Sequence, residues 1–283
     1  SVTVALVVFS TTVNSIPARL GGELVPQITA SLKTEEIAET AERLKANVEY
    51  CYIGSMLSGK GFILSTYEAE RLLEESPNNR DVIRAYLTGE EVFNSIILEP
   101  ERYVVDFFDR TLEQASDYPG PLEIVRERVK PIRDKANRKA HRERWWQFGD
   151  KRPTLYRKLS LLDKTLVQTL HTKYLSPQFV STDYVFSHSM AVFPSDEYWL
   201  WGLLNSSIHE CWARENSGSI GTGLRYTHTD CFYTFPFPPE EWRQRIAEAG
   251  TPLDQARTDV RHRIGASVNE LLDLIHDPGE SGS

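Results

Sequence analysis

Three stretches of this 283-residue sequence carry side chains whose types and spacing could do chemistry. The first, Gly54-Ser-Met-Leu-Ser-Gly59-Lys60, matches the opening positions of a phosphate-binding loop. The next residue is Gly61, where a Ser or Thr would have to offer its hydroxyl to magnesium, and Phe62-Ile63-Leu64 reads as extended where such a loop must enter a helix. Nucleotide hydrolysis is disfavoured on both counts. Two readings remain: a plain glycine turn, or a turn whose Lys60 touches a backbone phosphate. The second stretch, Arg126–Lys158, holds 13 Lys and Arg against 4 Asp and Glu, a local charge of +9 in a chain of net charge −8. An acidic body repels a polyanion and one basic segment orients it, so Arg142, Arg144, Lys151 and Arg152 are candidates for phosphate contact. The competing reading is a solvated face laced with ion pairs, for which four acids are too few. The third stretch, Ser217-Gly-Ser-Ile-Gly-Thr-Gly-Leu-Arg225-Tyr226, combines glycines with hydroxyls and one Arg. A glycine-rich loop approaches a base edge closely, and Arg reaches guanine O6 and N7 with two donors. Ser217, Ser219, Thr222 and Arg225 are therefore candidates for base readout. The alternative for Arg225 is a structural ion pair with Asp230 or Glu215.

Other chemistries find no constellation. No two of the seven histidines lie four apart on a helix, and none of Cys51, Cys211 and Cys231 sits in a CxxC pair, so zinc and cysteine catalysis are disfavoured. His209 on a Trp-rich segment reads as a hydrogen-bonded core residue. Of Trp145 and Trp146 beside Arg144, one is expected to anchor the core, and the other could stack on a base.

The elements that must position these residues are mixed. Val2–Phe9 reads as a strand buried on both faces, Asn14–Gly22 as a turn or hairpin, and Glu35–Leu44 as a helix after Thr34. Tyr50–Ile53, Phe62–Leu64 and Tyr103–Phe107 are short strands. Ser65-Thr-Tyr-Glu68 has capping-box spacing and opens a helix that Pro77 ends. Pro121–Trp145 reads as a long basic helix with a break available at Pro131. Leu166–Leu170, Phe179–Ser181 and Met190–Phe193 read as strands, Glu197–Trp212 as a helix capped by Ser195, and Arg225–Phe235 as a further strand. Pro236–Pro239 reads as a hinge. The three- and four-residue recurrence of Leu253, Ala256, Val260, Ile264, Val268, Leu271 and Ile275 predicts one amphipathic terminal helix, with a frayed tail after His276. Apolar residues at 40% and charged residues at 25% suffice for a packed core. No apolar run approaches the length of a membrane span, no leader precedes the first strand, and unpaired cysteines suit a reducing cytoplasm. Ser1 opening directly into a strand suggests a piece of a longer protein.

Taken in order, these residues form a series. It runs through Gly54-Ser…Gly61-Phe62-Ile-Leu-Ser65…Glu68-Ala69, Val104-Val105-Asp106-Phe107 and Val129-Lys130-Pro131…Arg133. It continues through Arg144-Trp145-Trp146-Gln147-Phe148…Arg152-Pro153…Tyr156 and Ser206-Ser207-Ile208-His209…Trp212. It closes on Arg225-Tyr226-Thr227…Asp230-Cys231-Phe232…Phe235-Pro236-Phe237-Pro238. The series resembles the C-terminal half of the MmeI-like DNA adenine methyltransferases of restriction–modification and phage-defence systems, from about Val2 to Pro238. The resemblance implies an α+β fold in three parts: residues 1–49 as the tail of a methyltransferase domain, 50–238 as a target-recognition domain, and 239–283 as a helical segment. It implies double-stranded DNA as partner, with an S-adenosylmethionine-binding methyltransferase domain lying N-terminal to this chain. The sequence contains neither the Asn-Pro-Pro-Tyr/Phe motif nor a Phe-x-Gly-x-Gly loop, so catalytic, cofactor and metal residues are expected to be none here. The alternative is a module that docks onto another subunit of a defence complex.

Overall fold

In a computed structural model, residues 18–20, 22–25, 41–220 and 223–276 are described. The expected strand Val2–Phe9, the start of the helix Glu35–Leu44, Thr222 and the tail after His276 lie outside them; residues 41–44 are not helical. The chain divides into two compact units, residues 1–43 and 44–283. In the first, β1 (Ala18–Leu20) and β2 (Glu23–Val25) form an antiparallel hairpin turning at Gly22, whose φ of 90° favours glycine.

The second unit is mixed α and β, as the α+β expectation has it. Its strands run β3 (Tyr52–Ile53), β4 (Ile63–Ser65), β5 (Ile83–Leu87), β6 (Arg102–Val105), β7 (Lys164–Thr169), β8 (His171–Thr172) and β9 (Gln178–Ser181). They continue with β10 (Val185–Phe186), β11 (Met190–Phe193), β12 (Gly218–Ile220) and β13 (Gly223–Arg225). Three sheets result, in the orders β10-β5-β6-β4, β3-β11-β7-β9 and β12-β13-β8. Only β10 and β5 pair in parallel; the other pairs are antiparallel. Each sheet is small, of three or four strands. A core around Phe62, Leu64, Val104, Phe107, Val125 and Trp145 underlies the first sheet. A second, rich in aromatics (Trp199, Trp201, Tyr226, Phe232, Phe235), joins the second sheet to the third. A third around Leu87, Phe93, Leu155, Phe186 and Val192 lies between the first two.

Among the helices, α1 (Thr66–Glu75) begins with the expected capping box: Ser65 Oγ accepts from Glu68 N while Glu68 accepts from Ser65 N at 2.9 Å. Helices α2 (Gly89–Phe93) and α3 (Leu112–Ala115) are single turns with capping boxes of their own. The long basic helix does not form. It is divided into α4 (Pro119–Arg128), α5 (Lys130–Arg133) and α6 (Lys139–Glu143). Pro131 has no amide hydrogen to continue a ladder, and Arg133 turns inward, so the chain bends there. After α7 (Pro153–Leu159), the expected helix Glu197–Trp212 is two helices, α8 (Tyr198–Leu204) and α9 (Ser207–Asn216). Ser206 starts the second by accepting from His209 N at 3.2 Å. The strand expected over Arg225–Phe235 ends at Arg225 and gives way to α10 (His228–Cys231).

The terminal helix is likewise two, α11 (Glu240–Ile264) and α12 (Val268–His276), separated by Gly265 with φ 65°. Its apolar stripe is not what holds α11: Leu253, Val260 and Ile264 are exposed. The helix docks on α8 where two glycines meet. A Cβ at Gly202 would come within 2.9 Å of Ile246 Cγ2, and one at Gly250 within 3.2 Å of the Tyr198 carbonyl. Backbone proximity at this crossing outweighs the side-chain stripe.

Candidate nucleic-acid interface

The Gly54–Gly61 turn does not enter a helix; a short 3-10 turn leads into β4, so it is no phosphate-binding loop of the hydrolase kind. Its shape is unusual in another way. Ser58 has φ 53° and Gly59 φ 149°, two consecutive residues in conformations that L side chains resist. A non-glycine residue there costs about 1–3 kcal/mol and persists only where the surroundings over-determine it. They do so here. Met56 exchanges both backbone hydrogen bonds with Asp150, at 3.0 and 3.1 Å. A Cβ at Gly61 would lie 2.8 Å from Arg128 Cβ, and one at Gly149 2.1 Å from Ser58 Oγ and 3.4 Å from His141 Nε2. The turn is thus wedged between the end of α4 and the segment His141–Gly149, and Lys60 stands exposed at its tip. Two candidate stretches far apart in sequence become one surface.

Within the basic segment the fold sorts the cations. Seven of the thirteen hold ion pairs: Arg126 with Glu123, Arg128 with Glu68, Lys130 with Asp134, Lys139 with Glu143, Lys151 with Asp109, Arg152 with Asp150 and Lys158 with Glu49. Glu123, Glu68, Asp109 and Glu49 come from outside the segment, so counting only its own acids understates its neutralisation. Of the residues singled out from sequence, Lys151 also donates to Gln147 Oε1 at 3.0 Å, and Arg152 to the Gly54 carbonyl at 3.3 Å. Both are tied into the fold. Arg142 Nη1 donates only to the Ala136 and Asn137 carbonyls, at 2.6 and 3.0 Å, so its charge is not neutralised. Arg144 is exposed, and its side chain makes no hydrogen bond or ion pair among the described residues. Lys135 and Arg138, which sequence reasoning did not single out, share that condition. Their only sequence signal was the polar gap between α5 and α6. Trp145 and Trp146 are both buried, 5.9 Å apart edge to face, with Trp146 Nε1 donating to the Arg110 carbonyl at 2.9 Å. Neither ring is free to stack on a base.

The Ser217–Gly223 stretch, expected as a glycine-rich loop, forms part of a hairpin. Gly218 pairs with Arg225 and Ile220 with Gly223, and β8 closes the other side with His171 opposite Arg225. Directly opposed residues share a face, so Gly218, Arg225 and His171 form one row. Arg225 and His171 are exposed while Leu224 is buried. The Arg225 side chain is exposed while its backbone is held in the ladder, its carbonyl also accepting from Thr227 Oγ1 at 3.3 Å. A Cβ at Gly218 would lie 3.9 Å from Arg225 Cβ and Cδ, which shows the Arg stem lying over the glycine. The Ser217 hydroxyl accepts from Thr227 N at 3.2 Å and braces the hairpin base. Ser219 is on β12, and Thr222 lies outside the described residues. His171 is the residue the sequence missed, since a lone His on a two-residue strand has no pattern.

Beneath Arg225 the hairpin is anchored. Tyr226 is buried, its amide donates to the Leu170 carbonyl at 2.8 Å, and its hydroxyl is 3.0 Å from His209 Nε2. His209 is fully buried, as expected of a core residue, and burial pushes its pKa down to about 3, so it is neutral. Cys51 and Cys231 are buried with thiols pushed up by desolvation, which removes them as nucleophiles. Among the described residues no group of side chains could hold a metal ion, and no helix is long and apolar enough to cross a membrane.

The fold is thus a mixed one that presents exposed cations on the basic segment and an exposed Arg225 on a braced hairpin. Residues 33–239 match the family described as the MmeI target recognition domain, and the chain belongs to that family. It is 23% identical over 260 residues to DNA methyltransferase A of Bacillus subtilis (strain 168), an alignment covering 88% of this chain and 28% of that protein. Its fold is similar to that of the type IIL restriction–modification enzyme MmeI, solved in complex with DNA, with a TM-score of 0.67 at 17% identity, over 92% of this chain and 37% of that one. The chain therefore spans about a third or less of the length of these relatives.

Proposed function

We propose that the chain is the target-recognition part of a DNA methyltransferase of a restriction–modification or phage-defence system, acting in the cytoplasm on double-stranded DNA. The observation that carries this reading is the packing of the turn that bears exposed Lys60 against the segment that bears exposed Arg142 and Arg144, with Lys135 and Arg138 exposed in the same basic stretch. Phosphates are the ligands such a surface suits. Base readout falls to Arg225, whose fork of donors projects from a braced strand and discriminates guanine by about 1–3 kcal/mol. Residues 50–238 form the recognition domain in this reading, and residues 239–283 brace it. Family membership supports a methyltransferase part elsewhere in the full-length protein, which binds S-adenosylmethionine and methylates adenine N6 after flipping the base. No residue of this chain is assigned to that cofactor.

The test is salt-dependent duplex binding by the full-length protein. Replacing Lys60, Arg142 and Arg144 with Ala, singly and together, should weaken binding to all duplexes alike and flatten the salt slope by about one unit per cation. A triple variant with unchanged affinity and slope would sink the reading in favour of an apolar docking module. Arg225→Ala should relax preference at one position of the methylated site in a stably folded protein. An unchanged site would remove Arg225 from base readout.

A further inference from the structure

Arg133 is 2% exposed, on the last turn of α5, and has no carboxylate partner among the described residues. A buried charge left unpaired is costly unless hydrogen bonds compensate it. Its Nη2 donates to the Leu57 carbonyl at 2.8 Å and to the Gln147 carbonyl at 3.3 Å, and its guanidinium lies 5.8 Å from the Phe62 ring centre. Its Nε has no partner. The two carbonyls belong to the two stretches that meet at the cationic surface. Leu57 immediately precedes the strained Ser58-Gly59 pair, and Gln147 follows Arg144 by one turn.

We propose that Arg133 is a positioning residue for the phosphate grip, pinning the Lys60 turn onto the Arg142–Gly149 segment so that Lys60 and Arg144 engage the same run of phosphates. This rests on the reading of that surface as a phosphate grip. The guanidinium bridges two backbone carbonyls that lie 90 residues apart in sequence. No other side-chain hydrogen bond recorded among the described residues ends on the Leu57 carbonyl. Released from it, the Ser58-Gly59 pair loses one of the contacts that hold its unfavourable φ values, and the turn that bears Lys60 is no longer pinned to the segment that bears Arg144. A lysine retains the charge, but its ammonium ends short of the position from which Nη2 donates to both carbonyls, so Arg133→Lys should behave like Arg133→Met in placement while keeping the cation.

The experiment is a double-mutant comparison in the full-length protein, reading the salt slope of duplex binding alongside a melting curve. Lys60→Ala and Arg144→Ala are each made in the native, Arg133→Lys and Arg133→Met backgrounds. In the native background each should lower the slope by about one unit. In either Arg133 background, Lys60→Ala should lower it by well under half a unit, while Arg144→Ala retains its full effect. A merely structural Arg133 would lower melting temperature without silencing Lys60 selectively. Equal effects of Lys60→Ala in all three backgrounds overturn the proposal, as does an effect of Arg144→Ala alone in the native protein. If neither substitution changes the native slope, the phosphate grip itself falls. Should Arg133→Met not fold, the Arg133→Lys background carries the same comparison.

Discussion

The hairpin that carries Arg225 stands on Tyr226, and Tyr226 on His209, so acid should loosen this footing in a measurable way. The perturbation is His209→Gln, which keeps a polar group near Tyr226 Oη and removes the titration. In the fold, burial holds the His209 pKa at about 3, against 6.5 for the free side chain. A group whose folded pKa is depressed in this way lets the unfolded chain bind the proton first. Its stability contribution is complete above pH 6.5 and is lost as pH falls towards 3. Each pH unit within that window costs about 1.4 kcal/mol, so the native protein should lose about 2 kcal/mol between pH 7 and pH 5 through this residue. His141, whose pKa is also lowered by desolvation, with Arg133 and Arg138 adding to the effect, changes stability in the same direction, but it is common to both proteins. The assay is urea unfolding at pH 7, 6 and 5. His209→Gln should start about 1–2 kcal/mol less stable from imperfect packing, then lose about 2 kcal/mol less than the native protein on going to pH 5. Parallel losses in the two proteins would refute the argument, because they would place the acid sensitivity elsewhere and leave His209 able to protonate in the fold.

Two further outcomes follow from the packing. Gly54→Ala should destabilise by about 3 kcal/mol or more, since a Cβ there would lie 2.2 Å from the Ser187 carbonyl, which belongs to the backbone and cannot yield; chemical denaturation measures it, and a near-neutral substitution would show that the Gly54–Ser187 approach is looser. Glu68→Gln removes the Arg128 ion pair but leaves a side chain able to keep the capping box, as Gln114 does in α3; the hydrogen bonds from Arg128 and Ser65 together hold the Glu68 pKa at about 2, below its ordinary 4.5. The carboxylate's contribution, about 1 kcal/mol after solvent screening, is present above pH 4.5 and fades as pH falls towards 2. The stability gap between native and variant proteins should therefore close over that range, and a gap independent of pH would mean that the charge contributes nothing.

Local chemistry was legible from the residues alone. The capping box at Ser65 and Glu68 and the failure of Gly54–Gly61 as a hydrolase loop depend on interactions within a few positions, and the sequence determined them; the strand Met190–Phe193 and the burial of His209 were legible in residue type although their partners in β7 and at Tyr226 and Phe235 are distant. The strong basic segment was visible too, but which of its cations remain free was not. Glu49, Glu68, Asp109 and Glu123 neutralise four of its members from outside the segment, and only tertiary packing brings them there. The same holds for the helices. Periodicity carried Pro121–Trp145, Glu197–Trp212 and the C-terminal stripe across breaks at Pro131, Asn205-Ser206 and Gly265, because an apolar spacing does not register where a chain must turn to satisfy a buried Arg or a fresh cap. Most telling is Ser217–Gly223, where glycines suggested a loop from sequence and the register with β8 makes a braced hairpin. A glycine widens the choice of backbone conformation, and only the strand beside it decides which one is taken.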